Sequence, residues 1–534
     1  MITRGEQMLA RRRARMAASP AFLRGGFRPF FFLGSSWAVI ALALWMLVFS
    51  DNLILPSALE PLIWHRHEML FGFVGAAVAG FLLTAIPNWT GRLPIAGWPL
   101  AGLVALWAAG RLAMLFSAWT GILAAAIIDV GFYVVLASLA SREVMAAKNR
   151  NLPPVVMVFL MGAANATDHA AAARLLPDAD VGIRAAIAIV VMLISLIGGR
   201  IIPSFTRNWM TKRGITHGLP TQPTRFDLAV LVITAAGLLG WITAPDSLLA
   251  GGLLLAAGAA QALRLSRWGG QKAARDPLVL ILHIGYLWVP VGLLLLGTSI
   301  LGTSVPRSAA IHALTAGAMA TMILAIMTRV TLGHTGRELI AGPNTVLIYV
   351  LVNVGAVLRV VASAGFFDYT IGMEIAAAAW AGAFVLFLAF TARSCFGLGW
   401  ARMILNRSRS DINMFVFVRS QMVTSGRSRP AAGILIAISR RPASTDCVEK
   451  LIRGQALWRS GSRASGGASP HPAIAGAGIG SSLAILRRFW AVAARWNSSF
   501  APLGPLRRRR SSLRMRLRCA NSISTFFRSR REVR

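Results

Sequence analysis

The stretch WHRHEMLFGFVGAAVAGFLLTAIPNW, residues 64–89, decides how the chain is to be read. From Met69 to Ile86 it holds no charged side chain. As a helix, such a run crosses about 30 Å of hydrocarbon. A helix is the form required there, because lipid offers no partner to backbone N–H and C=O groups. The run shows no apolar/polar alternation, which argues against the strand of an outer-membrane barrel.

Working outward, similar runs recur over the first three-quarters of the chain. The 534 residues are 56% hydrophobic and only 14% charged, with a mean hydropathy of +0.63, far from a soluble globular average. Segmentation predicts twelve spans, near 33–50, 67–87, 98–116, 121–140, 153–172, 185–203, 228–244, 248–263, 278–300, 309–331, 344–362 and 373–391. Prolines and glycines such as Pro94, Gly97, Pro153, Pro154 and Pro277 mark the joins. The expected fold is an all-α polytopic membrane protein.

Charge sets the expected orientation. Arg4, Arg11, Arg12, Arg13, Arg15, Arg24 and Arg28 precede span one. The even-numbered joins are also basic: Arg92; Arg142, Lys148 and Arg150; Arg207, Lys212, Arg213 and Arg225; Arg264, Arg267, Lys272 and Arg275. The odd-numbered joins carry Asp51, Glu60, Asp178, Asp180, Asp246 and Asp368. The positive-inside rule then places both termini in the cytoplasm. Residues 1–28 read as a basic cytoplasmic segment without a small-residue cleavage pattern, and residues 29–392 as the transmembrane domain. The tail, 393–534, is Arg/Ser-rich and holds roughly half the basic residues, so it dominates the net charge of +36. It reads as a disordered segment: either an RNA- or acidic-lipid-binding tail, or a non-native extension. All three cysteines, Cys395, Cys447 and Cys519, lie in it, so the membrane body has neither a disulfide nor a thiolate ligand. The body's aromatic residues read as lipid-facing anchors, not as a nucleic-acid surface.

Ionisable groups within spans are costly and mark candidate sites. His65, His67 and Glu68 open span two, Asn165, Asp168 and His169 end span five, and His312 opens span ten. The orientation brings these to one periplasmic level. Imidazole is the usual protein ligand for haem iron and copper. Residues two apart on a helix point about 200° from each other. Either the helix has not begun at His65, or the two histidines serve different centres, or one ligates while the other only hydrogen-bonds. A second, cytoplasmic level holds Asn88, Arg200, His283, Arg329, His334 and Arg337. Arg200 and Arg329 are suited to haem propionates or another anion, with snorkelling to headgroups as the competing role. His217 reads as solvent-facing, and Asp129 as a proton relay or a helix–helix hydrogen bond. There is no phosphate-cradling Gly-rich loop and no CxxC motif.

The motifs resemble a known family. Phe27-Arg28-Pro29-Phe30-Phe31, WHRHEMLFGF (64–73), TAIPNWTGRLPIAGWPL (84–100), GGRIIPSFTRNW (198–209), HIGYLWVPVGL (283–293) and HALTAGAMATMILAIMTRVTLGHTGR (312–337) are similar to the NnrS family over roughly residues 20–392. The resemblance implies a bacterial inner-membrane protein containing haem and copper, linked to nitric oxide metabolism, denitrification and resistance to nitrosative stress. It assigns no reaction. It makes His65, His67, Glu68, Asn88, Arg200, His283, His312, His334 and Arg337 candidate ligands or supporting groups, to which the depth argument adds His169. The expected partners are membrane lipid, nitric oxide and a redox protein. The competing readings are a secondary transporter of metal or haem, against which no inverted repeat is detected, and an accessory partner of a nitric oxide reductase. The family's members end soon after the last span, so the extension beyond Phe390 departs from the pattern.

Overall fold

The computed structural model describes residues 14, 18–221, 223–302, 304–395, 413–416 and 436–439. The chain divides into two units, Met1–Ser410 and Asp411–Arg534. In the first, twelve described helices are long and apolar enough to cross a membrane: α1 (Phe27–Phe49), α2 (Pro61–Thr90), α3 (Trp98–Leu115), α4 (Ile122–Ala146), α5 (Pro153–Ala172), α6 (Val181–Lys212), α7 (Arg225–Thr243), α8 (Leu248–Ser266), α9 (Pro277–Ile300), α10 (Arg307–His334), α11 (Pro343–Ser363) and α12 (Tyr369–Ala392). The all-α polytopic expectation holds for this unit. In the second unit the described residues are two short strands, Asn413–Val416 and Ile436–Ser439, paired antiparallel with Asn413 opposite Ser439. The rest of the Arg/Ser-rich tail, and most of the basic segment 1–28, lie outside the described residues.

The ends of the helices depart from the expected bounds for physical reasons. Pro61 stands in the first turn of α2, where its missing N–H costs nothing, so the helix has begun before His65. At 32 residues, α6 is about 48 Å long, so its basic end around Arg207 and Lys212 extends past the hydrocarbon. The helices that face outward carry apolar stripes: Val350, Val354 and Val357 on α11 are all exposed, at the spacing of one helix face. Centrally, α2 and α10 are the most enclosed, with 78% and 67% of their apolar windows buried against 33% for α1 or α4. The last helix returns to pack on α1, closing the bundle.

These two central helices are built alike. Each opens with a short α segment ending in a histidine, Pro61–His67 and Arg307–His312. Each continues through a π-helical turn, Glu68–Val74 and Ala313–Met319, before returning to α. Such π turns are rare and re-aim the side chains around them. The likeness extends along the chain at one constant offset, that between His67 and His312. At that offset Pro61 matches Pro306, Gly72 matches Gly317, Thr90-Gly91-Arg92 matches Thr335-Gly336-Arg337, Ile95-Ala96-Gly97 matches Ile340-Ala341-Gly342, and Gly110 matches Gly355. The preceding helices share a GxxW motif, Gly34–Trp37 on α1 and Gly285–Trp288 on α9. Packing repeats with it: a Cβ at Gly72 would meet Trp37, and one at Gly317 would meet Trp288. The helices α1–α3 and α9–α11 are two copies of one unit, and His67 and His312 occupy the same place in each.

Candidate functional site

His65 and His67 lie on one continuous helix and point to different neighbours, which removes the option that the helix starts after His65. His67 turns into a buried polar cluster and His65 into a cavity.

Four helices besides α2 supply the cluster. His67 places Nδ1 2.8 Å from Asp168 Oδ2 on α5, and Nε2 2.8 Å from Asp129 Oδ2 on α4. The same Asp129 oxygen accepts from Asn165 Nδ2 at 2.8 Å and lies 3.3 Å from His169 Nε2. Its other oxygen is bonded by Arg111 of α3. Arg111 also donates to Glu68 Oε2 at 2.7 Å, and Trp37 Nε1 of α1 donates to that oxygen at 2.5 Å. All these groups are 5% exposed or less, except that Trp37 is 8%. Close backbone approach makes room. A Cβ at Gly72 would come within 2.6 Å of Glu68 and 2.7 Å of Arg111, and one at Gly182 within 2.5 Å of the Asp168 backbone.

The charges of this cluster do not balance on permanent ions. Glu68, Asp129 and Asp168 face a single permanent cation, Arg111. Buried charges must be matched, so protons on imidazole or carboxyl groups, or a metal cation, complete the site. The ligand atoms of His67, Asp129 and His169 lie within 4.8 Å of one another, the one such set among the described residues. Two imidazoles and a carboxylate suit a first-row divalent metal, copper among them. Asp168 on the far nitrogen of His67 is the carboxylate–histidine arrangement that orients a metal ligand. The Nδ1 of His169 and Oε1 of Glu68 are buried without partners. The residues present fit a copper ion.

The cavity, about 430 Å³, lies among α1, α2, α6, α7, α10, α11 and α12, within the size range of cofactor sites. Its walls include Trp45, Phe73, Trp241, Trp380, Met69 and Met319, with His65 and His312 both in the lining. His65 stacks on Trp45, ring centroids 4.7 Å apart, and its Nδ1 is buried without a partner. His312 Nδ1 donates to the Ser308 carbonyl at 2.7 Å, which fixes the tautomer and leaves Nε2 a free lone pair. Four arginines complete the lining. Arg66 pairs with Asp180 at 2.9 Å, Arg307 with Asp246 at 2.7 Å, and Arg184 with Asp178, while Arg359 has neutral partners. An apolar, aromatic-walled cavity with two imidazoles and cations fits haem.

The histidines expected at one periplasmic level are thus brought together as two pairs rather than one group, His65 with His312 and His67 with His169. The second level is not drawn into either site. His283 is buried, its Nε2 2.9 Å from Thr206 Oγ1. His334 is exposed, 5.6 Å from the Phe27 ring. Asn88, Arg200 and Arg337 are exposed, as is His217, and Arg200 donates to Asn151 at 3.3 Å. Arg329 sits over the Phe205 ring at 3.9 Å. None of them lines the cavity. Arg264, expected among the loop cations, is 2% exposed and bonds Asp227 at 2.9 Å and Tyr286 at 3.0 Å. Sequence reasoning passed over Arg111, Arg359 and Trp37. The signal existed for the arginines, since both fall inside the spans expected at 98–116 and 344–362, where an ionisable group is costly.

No curated protein matches the chain. The family described as NnrS protein matches residues 21–395, the whole of the twelve-helix bundle, and the chain belongs to the NnrS family.

Proposed function

We propose that the chain is a haem- and copper-binding protein of the bacterial inner membrane that acts in the response to nitric oxide. His65 and His312 hold the haem in the cavity, and His67, His169 and Asp129 hold the copper. When bound, these metals supply nitric oxide binding and one-electron chemistry. Everything else is the work of the chain's own residues. The Ser308 carbonyl keeps the His312 ring in the tautomer that presents Nε2, and Trp45 holds the His65 ring by stacking. Asp168 orients His67, and Arg111 holds Asp129 and Glu68 in place.

Family membership supports the link to nitric oxide. The observation that carries the two-site reading is the divergence of His65 and His67 into separately built surroundings. An apolar groove on the outer face, about 450 Å³ and lined by Ile127, Val130 and Val134, reaches His169, which suits delivery of a small apolar gas from lipid. A redox partner and cytoplasmic termini belong to the same reading. The transporter alternative has less support, because His283 is engaged by Thr206 and His334 stands apart at the surface.

The test is a visible spectrum with metal analysis on the purified full chain. The Soret band should disappear in His65→Ala and His312→Ala, while copper should disappear in His67→Ala and His169→Ala with the Soret band kept. A colourless, copper-free wild-type protein overturns the reading, as does loss of both metals in every variant.

A further inference from the structure

Three of the four arginines in the cavity lining have carboxylate partners within the chain: Arg66 has Asp180, Arg184 has Asp178 and Arg307 has Asp246. Arg359 has none. It stands about one turn before the end of α11, half-buried, and bonds the hydroxyls of Ser363 and, at 3.3 Å, Tyr369. Among the described residues no carboxylate oxygen makes a salt bridge to it. The carboxylate in the lining, Asp180, is taken by Arg66. A half-buried guanidinium without a counter-ion is costly. The surrounding lining adds further donors: the indole N–H groups of Trp241 and Trp380 are buried without partners.

We propose that Arg359 is the counter-ion of a carboxylate carried by the molecule that fills the cavity, a propionate in the haem reading above, on which this inference rests. Arg359 thereby fixes which edge of the planar ligand faces α11, with His312 on α10 and His65 on α2 lining the same cavity. The guanidinium supplies two parallel N–H donors to the two carboxylate oxygens. Arg200 and Arg329, the arginines expected for this role, are excluded by position because neither lines the cavity.

Haem-depleted full-length protein, titrated with haemin and with haemin dimethyl ester, tests the assignment by the Soret absorbance of the bound form. The wild type should bind haemin about 10- to 100-fold more tightly than the ester, the range of a charge-assisted bond. Arg359→Gln should lose that preference by weakening haemin alone, and Arg359→Lys should recover part of it. The variant should also lower the midpoint potential of the bound haem, since removing a nearby cation favours the ferric form. Equal binding of haemin by wild type and Arg359→Gln overturns the assignment, as does equal weakening of haemin and ester. Wild type that binds neither porphyrin overturns the haem reading itself, a different result. Should Arg359→Gln fail to fold, the ester comparison on the wild type decides: no preference for the free acid refutes a carboxylate counter-ion.

Discussion

The removal of Arg111 is the sharpest perturbation of the buried cluster. Arg111 is 2% exposed and its partners Glu68 and Asp129 are both 0% exposed. Arg111→Met keeps most of the side-chain volume but leaves two carboxylates without their cation. Stripping one partner from a buried pair costs about 3–5 kcal/mol. Coulomb's law gives a similar size: two unit charges 4 Å apart attract by about 4 kcal/mol at an effective dielectric of 20. Glu68→Gln keeps the bond from Trp37 and removes one of the unmatched charges. The double variant should therefore cost less than the two single variants together, with a coupling of about 1.5–3 kcal/mol. Unfolding of all four proteins by SDS in mixed micelles measures the cycle without replacing any of the residues proposed to hold haem or copper. If Arg111→Met lies within about 1 kcal/mol of wild type, or the two changes add to within about 0.5 kcal/mol, the cluster is not held by charge matching and the reasoning fails.

Gly72→Ala and Gly317→Ala should each destabilise by about 1–3 kcal/mol, because a Cβ would meet Glu68 at 2.6 Å in one copy and the Trp288 ring at 2.5 Å in the other; near-zero cost at either, by the same unfolding assay, contradicts the packing described. The Arg184 guanidinium bonded to Asp178 holds that carboxyl below its ordinary range. The pair's contribution is therefore complete above the unfolded aspartate value, near pH 4, and is lost as pH falls through the depressed folded value. Thermal stability against pH should show this acid loss in wild type and not in Asp178→Asn; identical profiles refute it. Arg264→Met leaves Asp227 without its cation and should cost about 3–5 kcal/mol, largely relieved by Asp227→Asn, whereas a mild effect would mark Arg264 as a snorkelling residue after all. Val130→Trp in the outer groove should slow nitric oxide binding several-fold in stopped-flow measurements while leaving metal content unchanged; an unchanged rate removes the groove as a route.

How much was legible follows from the range over which each signal acts. The spans could be read because hydrophobicity is local: a run such as 69–86 must be satisfied as a helix wherever the rest of the chain lies. The divergence of His65 and His67 could also be read, since the angle between neighbours on a helix is set by the backbone. The start of α2 could not, because a proline in the first turn and a polar Trp-His-Arg-His head obscure where the apolar period begins. The π turns were invisible as well, since they add no composition of their own.

From sequence alone came twelve membrane helices, the family, and the candidate histidines near the ends of their spans; all three rest on local pattern or on the order of motifs. The partners were decided by tertiary structure. Asp129, Asp168, Arg111 and Trp37 meet His67 and Glu68 from four other helices, and Arg359 joins His65 and His312 from a fifth. A helix limits which face a residue shows, but which neighbour stands against that face depends on how separate helices pack, and no spacing along the chain encodes it.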